Sequence, residues 1–296
     1  MKRSHLTRLA PTPSGYLHLG NVMSFAVTAA FARREGAAIL LRIDDLDRDR
    51  VNPEYIEDIF ETLRFLQIPW DEGPHDPTDF GQHWSQVRRL ELYRAALGEL
   101  RAAGLLFACD CSRSQVRQAA ARGEASHASQ GEGRYPGTCR SRGLSLETPG
   151  CNWRIRTDGS GLPEEMTDFV VRKKDGNPAY QLTSVIDDLH LGVDRVVRGE
   201  DLRASTEAQQ WLAKKLGRTE FDRILFVHHP LLADGEHAKM SKSSGAGSVQ
   251  FLRRNGVKPA EVFRQIAQRA GADFMPCNWS GLGEGLIALW ALHFPQ

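Results

Sequence analysis

The sequence predicts an α/β protein organised around a parallel sheet, and three observations carry that expectation. A strand–turn–helix–strand unit opens the chain. Alternating strand and helix patterns return after residue 166, and the stretch between carries cysteines but little apolar periodicity. Parallel strands joined through a helix are the unit from which such sheets are assembled.

Taken in order, Leu6 to Leu9 reads as a short strand running into a Pro11-Thr12-Pro13-Ser14-Gly15 turn. From His18 to Arg33, Leu19, Val22, Phe25, Ala26 and Ala29 recur at helical spacing, and Gly36 is a suitable stop. Residues 38–43 form a buried-type strand bounded by the acidic run Asp44-Asp45-Leu46-Asp47. Two amphipathic helices follow, one on Tyr55, Ile56, Ile59, Phe60, Leu63 and Leu66 with Pro53 in its first turn. The other is expected from about Trp84 to Ala103. Between Ser112 and Ser145 the pattern lapses, which predicts a loop-rich insertion needing its own anchor. Regular patterning resumes at Asp168–Arg172, Tyr180–Asp188 and Val193–Arg198, then a helix over Ala204–Leu216 and a last strand at Ile224–His228. A helix is expected at Pro259–Gly271 and an apolar segment at Leu286–Trp290. The implied organisation is a nucleotide-binding half at 1–104, an insertion at 105–165, a second half at 166–245 and a short helical region at 246–296.

Composition excludes little. Of 296 residues, 41% are hydrophobic and 25% charged, as in ordinary soluble proteins. No apolar run approaches the roughly 18–20 residues of a membrane span, and the basic start lacks a leader's apolar stretch, so a cytoplasmic location is expected. The net charge of +1 decides nothing about nucleic-acid partners. Basic clusters at Arg172-Lys173-Lys174 and Arg253-Arg254 read most simply as solvated surface. Five cysteines argue against a disulfide framework in this setting, leaving metal ligation or packing.

Two segments carry nucleotide chemistry. In His18-Leu19-Gly20-Asn21, a strand ends in a Pro/Gly turn and enters a helix, so free N–H groups and a positive dipole end meet where a phosphate could sit. Gly20 permits close approach and His18 can donate to phosphate oxygens, though a capping or packing role suits such a histidine equally well. Lys239-Met240-Ser241-Lys242-Ser243 lies in a polar, Gly-bounded loop that could fold over a triphosphate and neutralise charge as pyrophosphate leaves.

Together, in this order, the segments resemble the two signatures of class I aminoacyl-tRNA synthetases, the second letter for letter. The first departs at Asn21, where that family most often has a second histidine; the amide keeps a donor. The resemblance implies ATP and Mg²⁺ as reaction partners. It gives catalytic roles to His18 and Lys242, and nucleotide contacts to His18, Gly20, Asn21, Lys239 and Lys242.

Residues 8–15, 42–45, 179–182 and 197–201 are similar to glutamyl-tRNA synthetases specifically, so the resemblance spans roughly residues 6–245. Glutamate presents two carboxylates and one ammonium. Arg8 and Arg198 suit the former because a guanidinium fork grips a carboxylate at two points. Asp44 would meet the ammonium, and Tyr180 has a hydroxyl to donate. The resemblance implies the same roles and adds Leu9, Ala10, Pro11 and Thr12 to the pocket lining. Asp44 stands where bacterial glutamyl enzymes typically carry Glu, which shortens the reach by about 1.5 Å. Glutamine is disfavoured, since Arg198 facing a neutral amide would be a buried, unpaired charge. Arg42 and Asp45 could equally be scaffold ion pairs.

Cys109-Asp110-Cys111 and Cys139 place three thiols in the insertion, a soft donor set that suits Zn²⁺. The residues alone leave the fourth ligand open among His127, Cys151, Tyr135, Asp110 and water. The pattern resembles that of glutamyl-Q tRNA(Asp) synthetases, short paralogues of the glutamyl enzyme, which have Cys-x-Cys and then Tyr-x-x-x-Cys. That resemblance assigns Cys109, Cys111, Tyr135 and Cys139, although the spacer here is longer and contains His127. The short segment after the lysine loop points the same way.

The expectation is therefore an α/β class I synthetase of Rossmann type, with a zinc-containing loop-rich insertion and a short helical C-terminal region. Its implied activity is ATP-dependent formation of glutamyl-adenylate from L-glutamate without tRNA, followed by transfer to the queuosine base in the anticodon loop of tRNA(Asp). A monomer without membrane contact is expected. The alternatives are a truncated glutamyl-tRNA synthetase charging a tRNA 3′ end with a separate partner, and a non-catalytic binding protein of the same fold.

Overall fold

The computed structural model describes residues 5–122, 135–232 and 247–294. In chain order the elements are β1 (Leu6–Leu9), α1 (Leu19–Glu35), β2 (Ala38–Leu41), α2 (Pro53–Phe65), α3 (Leu90–Ala102), β3 (Leu106–Cys109), α4 (Arg113–Arg122) and β4 (Asn152–Ile155). They continue with β5 (Val170–Arg172), α5 (Tyr180–His190), β6 (Arg195–Gly199), α6 (Arg203–Lys215), β7 (Leu225–His229), α7 (Val249–Arg254), α8 (Pro259–Arg269) and α9 (Trp279–Leu289). The chain divides into two compact units, one comprising 1–88, 192–201 and 224–296, the other 89–191 and 202–223.

In the first unit β1 pairs parallel to β2, from Leu6 opposite Ala38 to Leu9 opposite Leu41, with α1 as the crossover. β6 pairs parallel to β7. The two ladders meet at Asp194, whose N–H donates to the Leu6 carbonyl (3.0 Å) and whose carboxylate accepts the Leu6 N–H (2.8 Å). Helix α1 is buried almost all round, which suits its run of small and apolar residues. It ends at Gly36 in the left-handed region (φ 62°), the conformation a glycine supplies without strain.

The C-terminal helix α9 lies against α1. At their crossing a Cβ on Gly283 would come within 2.3 Å of the Ala26 carbonyl oxygen and 2.7 Å of the Ala30 methyl, so only glycine fits. Arg34 donates to Glu284 (2.7 Å), Arg33 to Ser280 (2.7 Å), and the Arg33 guanidinium lies 4.7 Å from the Trp279 ring centre. Just beyond α9, Trp290 stacks on His229 at the end of β7 (6.2 Å, 17°).

The second unit holds an antiparallel sheet, β3–β4–β5. Asp187 of α5 is fully buried and accepts from Arg89 Nε (2.7 Å) and the Tyr93 hydroxyl (2.6 Å), an ion pair and hydrogen bond that tie α3 to α5.

Two element expectations need correction. The helix expected from Trp84 begins at Leu90, because Ser85 and Gln86 are held in a turn by the buried Asp45 carboxylate (2.6 Å to Ser85 Oγ, 2.8 Å to Gln86 N). The unpatterned insertion contains α4, whose Ala-rich sequence buries one side chain, Val116, among those described. Its start was legible: Ser112 and Gln115 make a reciprocal capping box (2.7 and 3.2 Å), three residues apart.

Replacing Gly283 with Ala is expected to force α9 away from α1. The cost should be about 1–3 kcal/mol of overpacking, read as a melting temperature several degrees lower by differential scanning calorimetry.

Candidate active site and cysteine cluster

In open parallel sheets, ligand sites form beyond the carboxyl ends of the strands. In the first unit most of the candidate residues fall there. Arg8 is the third residue of β1 and Arg198 the fourth of β6; they are 6% and 4% exposed. The Arg198 guanidinium also lies 5.0 Å from the Phe226 ring centre on β7. Leu9 places its side chain in the core, so only its backbone faces the next segment, and its carbonyl accepts from Arg42 N–H (2.8 Å). Ala10 and buried Pro11 follow, then Thr12, whose side chain is exposed.

The β1–β2 ladder carries on past its named strands. After Arg42 bonds Leu9, the Asp44 N–H donates to the Pro11 carbonyl (2.9 Å). Extended backbone puts alternate side chains on opposite faces. Leu41 and Ile43 enter the core, and Arg42 and Asp44 share the other face. There Arg42 grips Asp44 with two prongs, Nε to Oδ1 at 2.8 Å and Nη2 to Oδ2 at 3.0 Å. Asp45 is scaffold: fully buried, it serves Ser85, Gln86 and Arg48.

At the start of α1, His18 is the N-cap. Its Nδ1 accepts from Gly20 N–H (3.1 Å), while Asn21 Oδ1 accepts from His18 N–H (3.0 Å), a capping box closed at both ends. A ring nitrogen that accepts carries no proton, so in the neutral imidazole the proton sits on Nε2, where it can be donated. Gly20 has a further reason to be glycine. A Cβ there would stand 3.0 Å from the His18 ring. Asn21 thus reaches back to the backbone through its oxygen, a role distinct from the nucleotide contact expected of it.

His18, Gly20, Asn21, Arg8, Asp44 and Arg198 all belong to the first unit. Tyr180 opens α5 in the second and is 43% exposed. Lys239, Lys242 and His127 lie outside the described residues.

The thiols of Cys109, Cys111 and Cys139 lie within 4.8 Å of one another, with Cys111 and Cys139 sulfurs 3.4 Å apart. Tetrahedral zinc with Zn–S bonds of about 2.3 Å needs sulfurs about 3.8 Å apart, so the donor set fits. Cys109 ends β3, and Cys139 sits within a tight turn closed by Arg140 N–H to the Gly137 carbonyl (2.9 Å), in which Gly137 takes φ 80°. The Tyr135 hydroxyl accepts from Cys139 N–H (2.8 Å) and is hydrogen-bonded to Cys109, which puts a phenolic oxygen beside the three sulfurs.

Local electrostatics vary across the cluster. Burial pushes the Cys111 thiol up to about 12, with neighbouring thiols adding to the shift. Burial also pushes up the Tyr135 phenol, aided by the Cys109 hydrogen bond. Burial alone would raise Cys109, yet hydrogen bonds from Tyr135 and Arg154 outweigh it and hold that thiol below its usual range. Arg154 lies over the Tyr135 ring at 3.8 Å, and Arg142 bonds both Asp110 (2.7 Å) and the Cys139 sulfur (3.4 Å). A bound divalent cation would lower all these thiol values by pairing with thiolate. Sequence reasoning overlooked Arg154 and Arg142, because their links to the cysteines are made across strands and a turn.

Comparison with known proteins bears on both regions. The family model for the catalytic domain of class I tRNA synthetases (E and Q) matches residues 5–147 and 153–274. A glutamyl-Q tRNA(Asp) synthetase of Symbiobacterium thermophilum is 38% identical over 284 residues, covering 89% of this chain and 86% of the relative. One from Nitratidesulfovibrio vulgaris is 36% identical, covering 91% and 88%. Among solved structures, a glutamate tRNA ligase from Elizabethkingia meningosepticum, in complex with its amino acid, superposes with a TM-score of 0.68. That match covers 94% of this chain and 64% of the ligase, and at 22% identity it speaks for the fold alone.

Asn21→Ala, which removes the bond back to His18 N–H, is expected to destabilise the protein by about 1 kcal/mol, read from the urea midpoint. Asn21→Asp keeps the acceptor and should hold the wild-type value.

Proposed function

The chain belongs to the class I tRNA synthetases of the glutamate and glutamine family, and from that premise we propose that it activates L-glutamate with ATP and passes glutamate to the queuosine base in the anticodon loop of tRNA(Asp). The observation that supports the first half is that buried Arg8 on β1, buried Arg198 on β6 and Asp44 just past β2 belong to the same unit as the capped start of α1. Similarity to glutamyl-Q tRNA(Asp) synthetases over most of both chains supports the second half.

In this reading Arg8 and Arg198 each bind one carboxylate, and Asp44 binds the ammonium, with Thr12 and the backbone of Leu9, Ala10 and Pro11 forming the wall. The α-carboxylate then attacks the α-phosphate and pyrophosphate leaves. His18, as the Nε2–H tautomer, donates to phosphate oxygens; Gly20 and Asn21 hold it there, and Lys239 and Lys242 neutralise the departing charge. Mg²⁺, when bound with ATP, supplies counter-charge to the triphosphate. No protein nucleophile is required. Glutamine is rejected because Arg198 would face a neutral amide, and sites built on a polar partner reject such analogues by about 10⁴–10⁵.

Cys109, Cys111, Tyr135 and Cys139 would hold Zn²⁺, which when bound would staple the end of β3 to the Tyr135–Cys139 turn.

Glutamate-dependent ATP–pyrophosphate exchange without tRNA should be present with wild type and absent with glutamine. Arg198→Ala should lower kcat/KM for glutamate about a hundredfold or more; retention of full activity would refute its role. Transfer of glutamate should occur to tRNA(Asp) from normal cells and fail with tRNA from queuosine-deficient cells. Activity that survives on the deficient tRNA would favour charging of the 3′ end.

Elemental analysis is expected to find about one zinc per chain in wild type and little in Cys139→Ala, with a lower melting temperature on chelation. Tyr135→Phe should weaken zinc retention under chelator challenge without abolishing it.

A further inference from the structure

Arg42 has no role in the chemistry above, yet its side chain is 2% exposed and two of its nitrogens bond Asp44, the acid assigned to the ammonium. We propose that Arg42 is a positioning residue for the substrate's ammonium: it clamps Asp44 in the rotamer that receives it. The inference rests on the glutamate reading and extends it to a residue that does not touch substrate.

Several observations converge on this. The clamp is bidentate, so it fixes the plane of the carboxylate as well as its place. The fork takes one bond on each carboxylate oxygen, so neither oxygen can turn without breaking one of them. The backbones of both residues are pinned, Arg42 N to the Leu9 carbonyl and Asp44 N to the Pro11 carbonyl. The pair therefore moves with the very loop that lines the pocket. Arg42 is set by the parallel ladder, and Asp44 is set by Arg42.

A shorter acid makes the clamp matter more. Asp44 has two side-chain torsions, and a turn of its first one would swing the carboxylate away from any fixed ligand. A purely structural ion pair would predict something else: loss of Arg42 would then harm every substrate equally.

The test uses the full chain in glutamate-dependent exchange, with glutarate as a competitive inhibitor that keeps both carboxylates and lacks the ammonium. Arg42→Gln is expected to raise KM for glutamate at least tenfold. KM for ATP and the inhibition constant of glutarate should stay within twofold. Arg42→Lys, which keeps charge without the fork, should fall between. In an Asp44→Asn background, adding Arg42→Gln should change KM for glutamate less than twofold, because the clamp has nothing left to hold.

The double variant removes both charges of the pair together, so it tolerates the change even if Arg42→Gln alone folds poorly. Parallel losses for ATP and glutarate, or additive effects in the double variant, would overturn the proposal. A wild type that exchanges with another amino acid instead would refute the glutamate reading. The same cycle, run on that amino acid and its deaminated analogue, would still decide the clamp.

Discussion

The hydrogen-bond ladder between β1 and β2 is the constraint from which the candidate site follows. It continues two steps past the named strands, through Arg42 to Leu9 and Asp44 to Pro11. Those two bonds align the acidic segment beside the loop that leads to His18, with no side chain involved. Side-chain alternation then does the sorting, sending Leu41 and Ile43 inward and Arg42 and Asp44 to the opposite face. A one-residue slip would put the acid in the core and an isoleucine in the pocket. The burial of Leu9 and Leu41 on either side of the ladder makes that slip costly, so the same contacts that stabilise the sheet also specify the site.

At the head of α1 the chemistry is equally economical. His18 satisfies a backbone donor through Nδ1, and that bond leaves Nε2 as the nitrogen that can carry a proton outward. Asn21 closes the box from the other side. An asparagine in place of a histidine therefore keeps the helix start intact while changing what the fourth position offers a nucleotide. The cysteine cluster follows a different logic. Its thiols are gathered by a strand end and a glycine turn, and arginines from β4 and from the turn itself set the local field.

Much of this was legible in the sequence, and the reasons are particular. Short strand-type segments made β1, β2 and β7 readable, although only β2 is apolar throughout, and a periodic apolar stripe did the same for α2 and α8. Gly36 marked its helix end because the left-handed conformation there suits glycine. The start of α3 was misplaced because Asp45, forty residues upstream, captures Ser85 and Gln86. Helix α4 was missed because periodicity reports burial, and almost none of its described side chains is buried. Arg42 and Asp44 were visible as types, but their pairing with each other depends on strand alternation and could not be separated from other ion pairs. Arg154 and Arg142 joined the cysteine cluster only through cross-strand and turn geometry.

Helix α9 packs along the crossover helix of the first unit. The glycine-tight seam with Ala26 and Ala30, the arginine contacts to Ser280 and Glu284, and the stacking of Trp290 on His229 engage both the crossover helix and the end of β7. The catalytic body is consequently indivisible at the lysine loop. A fragment ending there would uncover the apolar side of α1, the helix that holds His18 at its tip. Any shortened version of this chain has to carry residues through 290 to keep that seam closed.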